Sequence, residues 1–341
     1  MPARQLVVPA RGLGQRSGAP QKNYVPDEVE FRTKPQIALA LIDRALANGI
    51  RVAAWTCDEL YGRDGKFLDG LELRGQAFVG EIPVDFHGWV QEPEILRHAP
   101  KNSLKRGRGK KYPRMARRRP SCEVRNLAKH SPLFRRQAWQ QYRIKDTDKG
   151  PQVWEVKWSG FLRKSATGMP ARRHCLIVAR NVLTGEVKYF VANRVPGEAG
   201  TTLQWLLRVA FGRWSIESCF RQTKDELGLD HYQVRGWRCV HRHFYVTQLS
   251  HLFCARVRQQ ENAGGQQERL TIEQVRSAMN VWLSASDMKP AARHAHYQKE
   301  LNRQSYHQRR NAQARASHAK TKIARLKALG IDPDTIMSCR Q

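Results

Sequence analysis

Between Thr201 and Leu227, apolar residues recur at helical spacing (Leu203, Leu206, Leu207, Ala210, Phe211, Trp214), so a helix is expected there, ending at Leu227-Gly228. At about 100° per residue, Arg213 and Lys224 fall within about 40° of Glu217 on that helix. A carboxylate between two cations on one stripe suits phosphate and metal chemistry, although an ordinary surface ion-pair ladder has the same spacing. Trp214, Ile216 and Phe220 flank the stripe, which suggests a partly buried rim for Glu217. Asp58 is the second candidate. It closes the apolar run Ile50–Cys57, just before a Tyr61-Gly62 turn. A carboxylate at such a strand end faces the crevice where α/β sheets bind ligands, the alternative being a turn-forming or helix-capping Asp. If Asp58 and Glu217 converge, they could hold Mg²⁺, or Mn²⁺ in its place, since such ions take carboxylate and phosphate oxygens. Two-metal phosphoryl transfer usually needs a third carboxylate.

Other chemistries find less support. Cys239, His241 and His243 are too closely spaced for a zinc site, and no second ligand pair lies near them in the sequence. Neither a Gly-rich phosphate loop nor a nucleophile elbow occurs.

The elements that must position these residues alternate in type. Lys34–Gly49 has Ile37, Leu41, Ala45 and Leu46 at helical spacing, with Pro35 near its start and Gly49 after its end. Ile50–Cys57 reads as a largely buried strand, Lys66–Arg74 as a helix and Ala77–Pro83 as another short strand. Helix followed by strand points to an α/β layer. Val153–Trp158 alternates with period two, and His174–Ala179 and Val187–Ala192 are joined by a Thr184-Gly185 turn, which suggests a small antiparallel unit. A further helix is expected over about 240–259, followed by polar, helical sequence.

Sixty Lys and Arg against thirty Asp and Glu give the 341 residues a net charge of +30. Such a chain repels itself without a polyanion, so nucleic acid is the leading partner. Much of the charge lies in three stretches free of Asp and Glu: residues 1–26, 95–122 and 301–331, with four, eleven and eight basic residues. The middle stretch includes Arg106, Arg108, Lys110, Lys111, Arg117, Arg118 and Arg119, and its Gly and Pro content reads as a mobile loop. Solvated tails would look similar, but phosphate contact is the favoured reading. The apolar fraction of 40% and nine tryptophans argue against wholesale disorder. No run of 18 apolar residues and no signal-peptide core occur, so no membrane partner is expected. Seven scattered cysteines without CxxC spacing fit a reducing compartment, hence a cytoplasmic, nucleoid-associated location.

The string Arg213-Trp214-Ser215-Ile216-Glu217-Ser218-Cys219-Phe220, with Lys224, Leu227-Gly228-Leu229-Asp230 and Tyr232, resembles the C-terminal signature of DDE transposases of bacterial insertion sequences. It is most similar to the insertion-sequence-701-type branch of the group marked by a Tyr-Arg-Glu-Lys signature. Arg213, Glu217 and Lys224 keep that spacing, while Ala210 stands where Tyr would be. Arg235-Gly236-Trp237 and Arg242-His243 also look like the family. Thr33-Lys34-Pro35-Gln36 and Asp58-Glu59-Leu60-Tyr61-Gly62 resemble the segment carrying the family's second catalytic Asp. The resemblance covers about 25–260.

The resemblance implies an α/β, RNase H-like core with a β-rich insertion between the second Asp and the Glu. Asp58 and Glu217 would bind Mg²⁺, and Arg213 and Lys224 would contact transposon-end DNA, on which a homodimer could assemble. The segments expected are a partial core over 1–94, the basic loop over 95–122, the insertion over 123–200, core helices with Glu217 over 201–260 and a basic helical C-terminal tail over 261–341. The family's first catalytic Asp lies ahead of a segment matching roughly Leu6–Val8. An incomplete core is therefore expected, with Asp27 a poor substitute. The expected protein is an N-terminally truncated transposase or, alternatively, a non-catalytic DNA-binding fragment that regulates a full-length copy.

Overall fold

The computed structural model describes residues 24–98, 112–115, 120–263, 270–285 and 288–339. They fall into two compact units. A sheet unit comprises Pro35–Arg213 and His318–Gln341, and a helical unit comprises Met1–Lys34 and Trp214–Ser317, each within the described residues. This division cuts across the five segments expected from sequence.

In the sheet unit, Lys34–Ala47 forms α1, with Pro35 in its first turn and Gly49 in the left-handed region (φ 76°) just after its end. Trp55–Cys57 (β1), Glu59–Gly62 (α2), Gly65–Leu73 (α3), Phe78–Ile82 (β2) and His87–Trp89 (β3) follow. Three two-residue strands come next: Ile95–Leu96 (β4), Arg114–Met115 (β5) and Cys122–Glu123 (β6). Val124–His130 (α4) and Pro132–Arg136 (α5) lead into Gln140–Thr147 (β7), Gly150–Lys164 (β8), Pro170–Asn181 (β9) and Val187–Ala192 (β10). Leu203–Gly212 is α6, and Met337–Ser338 is β11.

Nine of these strands form one mixed sheet whose path runs β1-β2-β10-β9-β8 and then forks. The first half of β8 pairs with β7, which pairs with β11, whereas its last residues pair with β3 and so with β6. The β1–β2 and β7–β11 pairs are parallel and the others antiparallel. The strands expected as a small antiparallel unit are thus the middle of a sheet that continues through β10 into β2 and β1. The 95–122 stretch is bracketed by strand pairing, Ile95 opposite Met115 and Leu96 opposite Arg114.

Both faces of this sheet are covered, which explains the continuous apolar run of β9. Cys175, Ile177 and Ala179 point into one cluster with Phe190, Trp154, Leu206 and Leu207, covered by α6. Leu176 and Val178 point into the other with Val191, Phe67, Leu71 and Phe134, under α1, α3, α4 and α5. The β1 strand is shorter than the apolar run suggested. Ile50 N–H is spent on the carbonyl of Ala45 at the end of α1, and ladder bonding begins only at Trp55, whose N–H donates to Ala77 at 2.8 Å. Ile50 and Val52 are exposed.

The helical unit holds Trp214–Leu227 (α7), Trp237–Ala263 (α8), Ile272–Ser284 (α9) and most of Pro290–Ala328 (α10), whose last residues, from His318, belong to the sheet unit. The expected 201–227 helix is interrupted: Gly212 ends α6, Arg213 caps it, and α7 begins at Trp214. α7 stops where expected. Gly228 takes the left-handed conformation (φ 67°), and Leu229 N–H reaches back to Thr223 carbonyl at 3.1 Å. The core of this unit is small: Cys254, Ile272 and Val275, backed by Leu227, Ala255 and Val257. The sequence after 261 is more than a tail, because Leu326 and Ile331 pack on Val153 and β11 adds a strand beside β7. Gly150 (φ 92°) is needed at that junction, since a side chain there would press on the backbone of Ala319.

Candidate active site

Asp58 is the residue after β1, at the carboxyl end of the parallel β1–β2 pair. The register sets Thr56 opposite Val79 and Cys57 opposite Gly80, so one step further Asp58 stands beside Glu81. The motif around Asp58 has a local explanation. Asp58 caps α2: its Oδ1 accepts the Leu60 N–H at 3.1 Å, and its carbonyl accepts the N–H of Gly62 at 2.8 Å. Gly62 is required because α2 crosses β2 so closely that a Cβ there would overlap the carbonyl of Glu81. The capping alternative is therefore realised. It still leaves most of the carboxylate's acceptor sites uncommitted, since a carboxylate offers about four.

Glu81 was not singled out from sequence, although a charge inside the apolar run Phe78–Ile82 was a visible signal. Its side chain is only 14% exposed and holds two cations, Lys188 Nζ at 2.7 Å and Arg213 Nε at 3.8 Å. Arg213 thereby joins the Asp58 end of the sheet. The thiol of Cys57 registers the local field. Burial pushes its pKa up to about 12, with Asp58 and Glu81 raising it and Arg213 opposing them. Burial, then the Asp58 charge, also raises the Tyr61 phenol. Cys57 therefore stays a thiol at neutral pH and supplies no nucleophile. Ala210, at the position of the signature Tyr, lies 4% exposed among Leu206, Leu207 and Phe190, where only a small side chain is accommodated without repacking.

Glu217 and Lys224 lie two turns apart on α7, in the helical unit, while Asp58 and Arg213 lie in the sheet unit. Glu217 is exposed, not at a partly buried rim, and Trp214, Ile216 and Phe220 around it are 48%, 47% and 49% exposed. Arg221 stacks over Trp214, its guanidinium carbon 5.9 Å from the ring centre.

The two histidines near Cys239 are spent on carbonyls. His241 Nδ1 donates to Trp237 at 2.8 Å, and His243 Nε2 donates to Gly228 and Leu229 at 3.0 and 3.2 Å, pinning the turn after α7. Arg106, Arg108, Lys110, Lys111, Arg117, Arg118 and Arg119 lie outside the described residues. Among the described residues no group of three His, Cys, Asp or Glu is placed to hold a metal ion, and no helix is long and apolar enough to cross a membrane. The donor chemistry of Asp58, hard carboxylate oxygen, nevertheless suits a divalent cation.

Residues 1–151 match the family model described as DDE superfamily endonuclease. Asp58, Glu81 and the parallel β1–β2 pair lie inside the matched part; Arg213, Glu217 and Lys224 lie beyond it. The match supports a relationship to DDE transposases and nucleases, whose substrate is DNA and which generally use divalent metal ions. No curated protein matches the chain.

Proposed function

We propose that the chain carries part of the catalytic machinery of an insertion-sequence transposase of the insertion-sequence-701-type branch, built on an RNase H-like core. The observation that carries this reading is Asp58 at the carboxyl end of a parallel strand pair, inside the segment matching the DDE endonuclease model. Asp58 and Glu217 would hold Mg²⁺, or Mn²⁺, which when bound activates water or a 3′-hydroxyl for in-line attack on a phosphodiester. Arg213 and Lys224 would hold the phosphates of the transposon end by charge-assisted hydrogen bonds. Glu81 sets where Arg213 sits, and α2 fixes the direction of the Asp58 side chain. The working form is a homodimer on DNA in the nucleoid.

With two carboxylates, such a site binds one ion loosely, so DNA binding outlasts cleavage. Binding without cutting is accordingly the second reading, favoured by the pairing of Glu81 with Lys188 and Arg213, which occupies the carboxylate beside Asp58.

The test uses supercoiled plasmid and inverted-repeat duplexes with Mg²⁺. We expect the chain to prefer inverted-repeat ends over scrambled duplex and to nick little. Asp58→Ala and Glu217→Ala should each abolish that nicking while leaving the preference for the ends. Indifference between DNA and RNA, with no Mg²⁺-dependent nicking, would remove the reading. Robust cleavage by the unmodified chain, lost on Asp58→Ala, would keep the activity and show that a third carboxylate is already in place.

A further inference from the structure

Within the helical unit, a cleft of about 530 Å³ separates the first turns of α9 from one face of α10. Its α10 wall is a single stripe: residues 300, 303, 304, 307, 308, 311, 312 and 315 recur every three or four positions, and all but Ala312 are polar. Arg303, His307 and Arg315 stand on this wall, and Arg276 faces them from α9.

Two of the arginines are held by one edge. Glu300 accepts from Arg303 at 2.6 Å and from the Gln304 amide at 3.3 Å, and the hydrogen bond from Arg303 holds the Glu300 carboxyl below its usual range. On the opposite wall, Arg276 Nε donates to Glu226, on α7, at 2.9 Å. A guanidinium has five N–H donors, so an anchored edge fixes the group and leaves donors for a second acceptor. The N-terminus of α9 is not part of the attraction. Its first turn is closed by a capping box, with Thr271 Oγ1 accepting the Gln274 N–H and the Gln274 side chain accepting the Thr271 N–H.

We propose that this cleft is a docking site for the sugar–phosphate backbone of a nucleic acid, separate from the Asp58 site. It rests on the reading that the chain works on DNA. Charge and geometry favour a phosphate strand over an acidic peptide. The cleft itself is lined by Arg276, Arg303 and Arg315 with Glu273 and Glu300, and α10 as a whole carries ten Lys and Arg and a single acid over 39 residues. Arg303 and Arg315 both line the cleft, twelve residues apart, at its two edges about 120° apart around the helix and separated by about 18 Å of helix rise. That is the length of about five base-pair steps at 3.4 Å each. A line of cations at that spacing matches a repeating anion, while a compact acidic motif would engage one end. Gln308 and Asn311 between them offer neutral donors and acceptors to sugar and base edges. No Phe, Tyr or Trp lines the cleft, so base stacking is not its mode of binding.

The test is the salt dependence of duplex binding by the full chain. Each lost phosphate contact makes the slope of log affinity against log salt shallower by about 0.9. Arg303→Gln with Arg315→Gln should therefore flatten it by about 2, while the Arg→Lys pair, which keeps the charges, should restore it. Ala312→Glu, at an exposed position on the same wall, should lose affinity without disturbing helix content, and covers the case in which the double variant folds poorly. An unchanged slope in the folded Gln pair, together with unchanged affinity in Ala312→Glu, overturns the proposal. So does a pair of variants that loses only the binding of polyglutamate, used as competitor, since the cleft would then take acidic peptide. A wild-type chain that binds no DNA at all would remove the functional reading itself, a result distinct from either.

Discussion

The sheet unit and the helical unit bury their apolar residues to very different degrees. In the first, Cys175 to Ala179 form five consecutive residues no more than 2% exposed, filling both faces of the sheet. In the second, Tyr245, Val246, Leu249, Leu252 and Phe253 lie 48–65% exposed on one side of α8, and the described residues bury only a small cluster around Cys254, Ile272 and Val275. Positions fixed by dense packing hold geometry, and loosely packed elements open locally at lower free energy. Asp58 and Arg213 therefore belong to the rigid part of the molecule, while Glu217 and Lys224 ride on a helix in the part that opens more readily.

The largest effect that would sharpen this contrast comes from truncating the two regions in parallel. Leu176→Ala should cost about 3 kcal/mol or more, because it empties a fully buried position. Leu249→Ala, at a position 65% exposed, should stay within about 0.5 kcal/mol. Denaturant titration followed by tryptophan fluorescence and hydrogen exchange separates the two. Equal losses would mean that α8 is as well packed as β9.

Alkaline stability gives the next effect. Burial raises Cys57 and Cys175 to about 12 and Cys339 to about 11, from an ordinary 9.0, and all three are in the sheet unit. The unfolded thiols ionise near the ordinary value while the folded ones stay protonated, so above it the unfolded state holds fewer protons and stability falls as pH rises. The full contribution is present below about pH 9 and is lost progressively towards 11 to 12. Folding free energy measured across that range should decline, and replacing the three cysteines by alanine should flatten the decline. A wild-type curve without slope would refute the burial of these thiols.

The smallest effect is local to the helical unit. Thr271→Ala removes one half of the α9 capping box and should cost about 1 kcal/mol. Because the unit is marginal, exchange protection on α9 should drop while β9 stays unchanged. Loss on β9 as well would join the two regions into one cooperative block.

Much of this was legible in the sequence, for reasons that differ from place to place. β9 and β10 followed from runs of apolar residues and from the Thr184-Gly185 turn, where Gly185 indeed takes a positive φ of 72°. The ends of α1 and α7 followed from glycine, which punctuates locally. Asp58 was found because a strand end and a turn adjoin in sequence. Glu81 was missed because its importance comes from register: only the pairing of β1 with β2 sets it beside Asp58. The break at Arg213 was hidden by a periodicity that runs unchanged through Gly212. The docking of the C-terminal residues was masked by their charge, although Leu326, Ile331 and Ile336 carried the signal.

The return of the chain end to β7 has a consequence during synthesis. Arg143, on β7, has a local partner in Asp146, but its other partner, Asp334, which pairs with it at 2.6 Å, is made 191 residues later, with β11 following. At about 5–20 residues per second, a ribosome needs about 10–40 s to cover that distance. Throughout that interval the outer edge of β7 waits for β11 while the described helices of the other unit emerge, so the nascent chain carries a sheet edge open to any neighbouring strand.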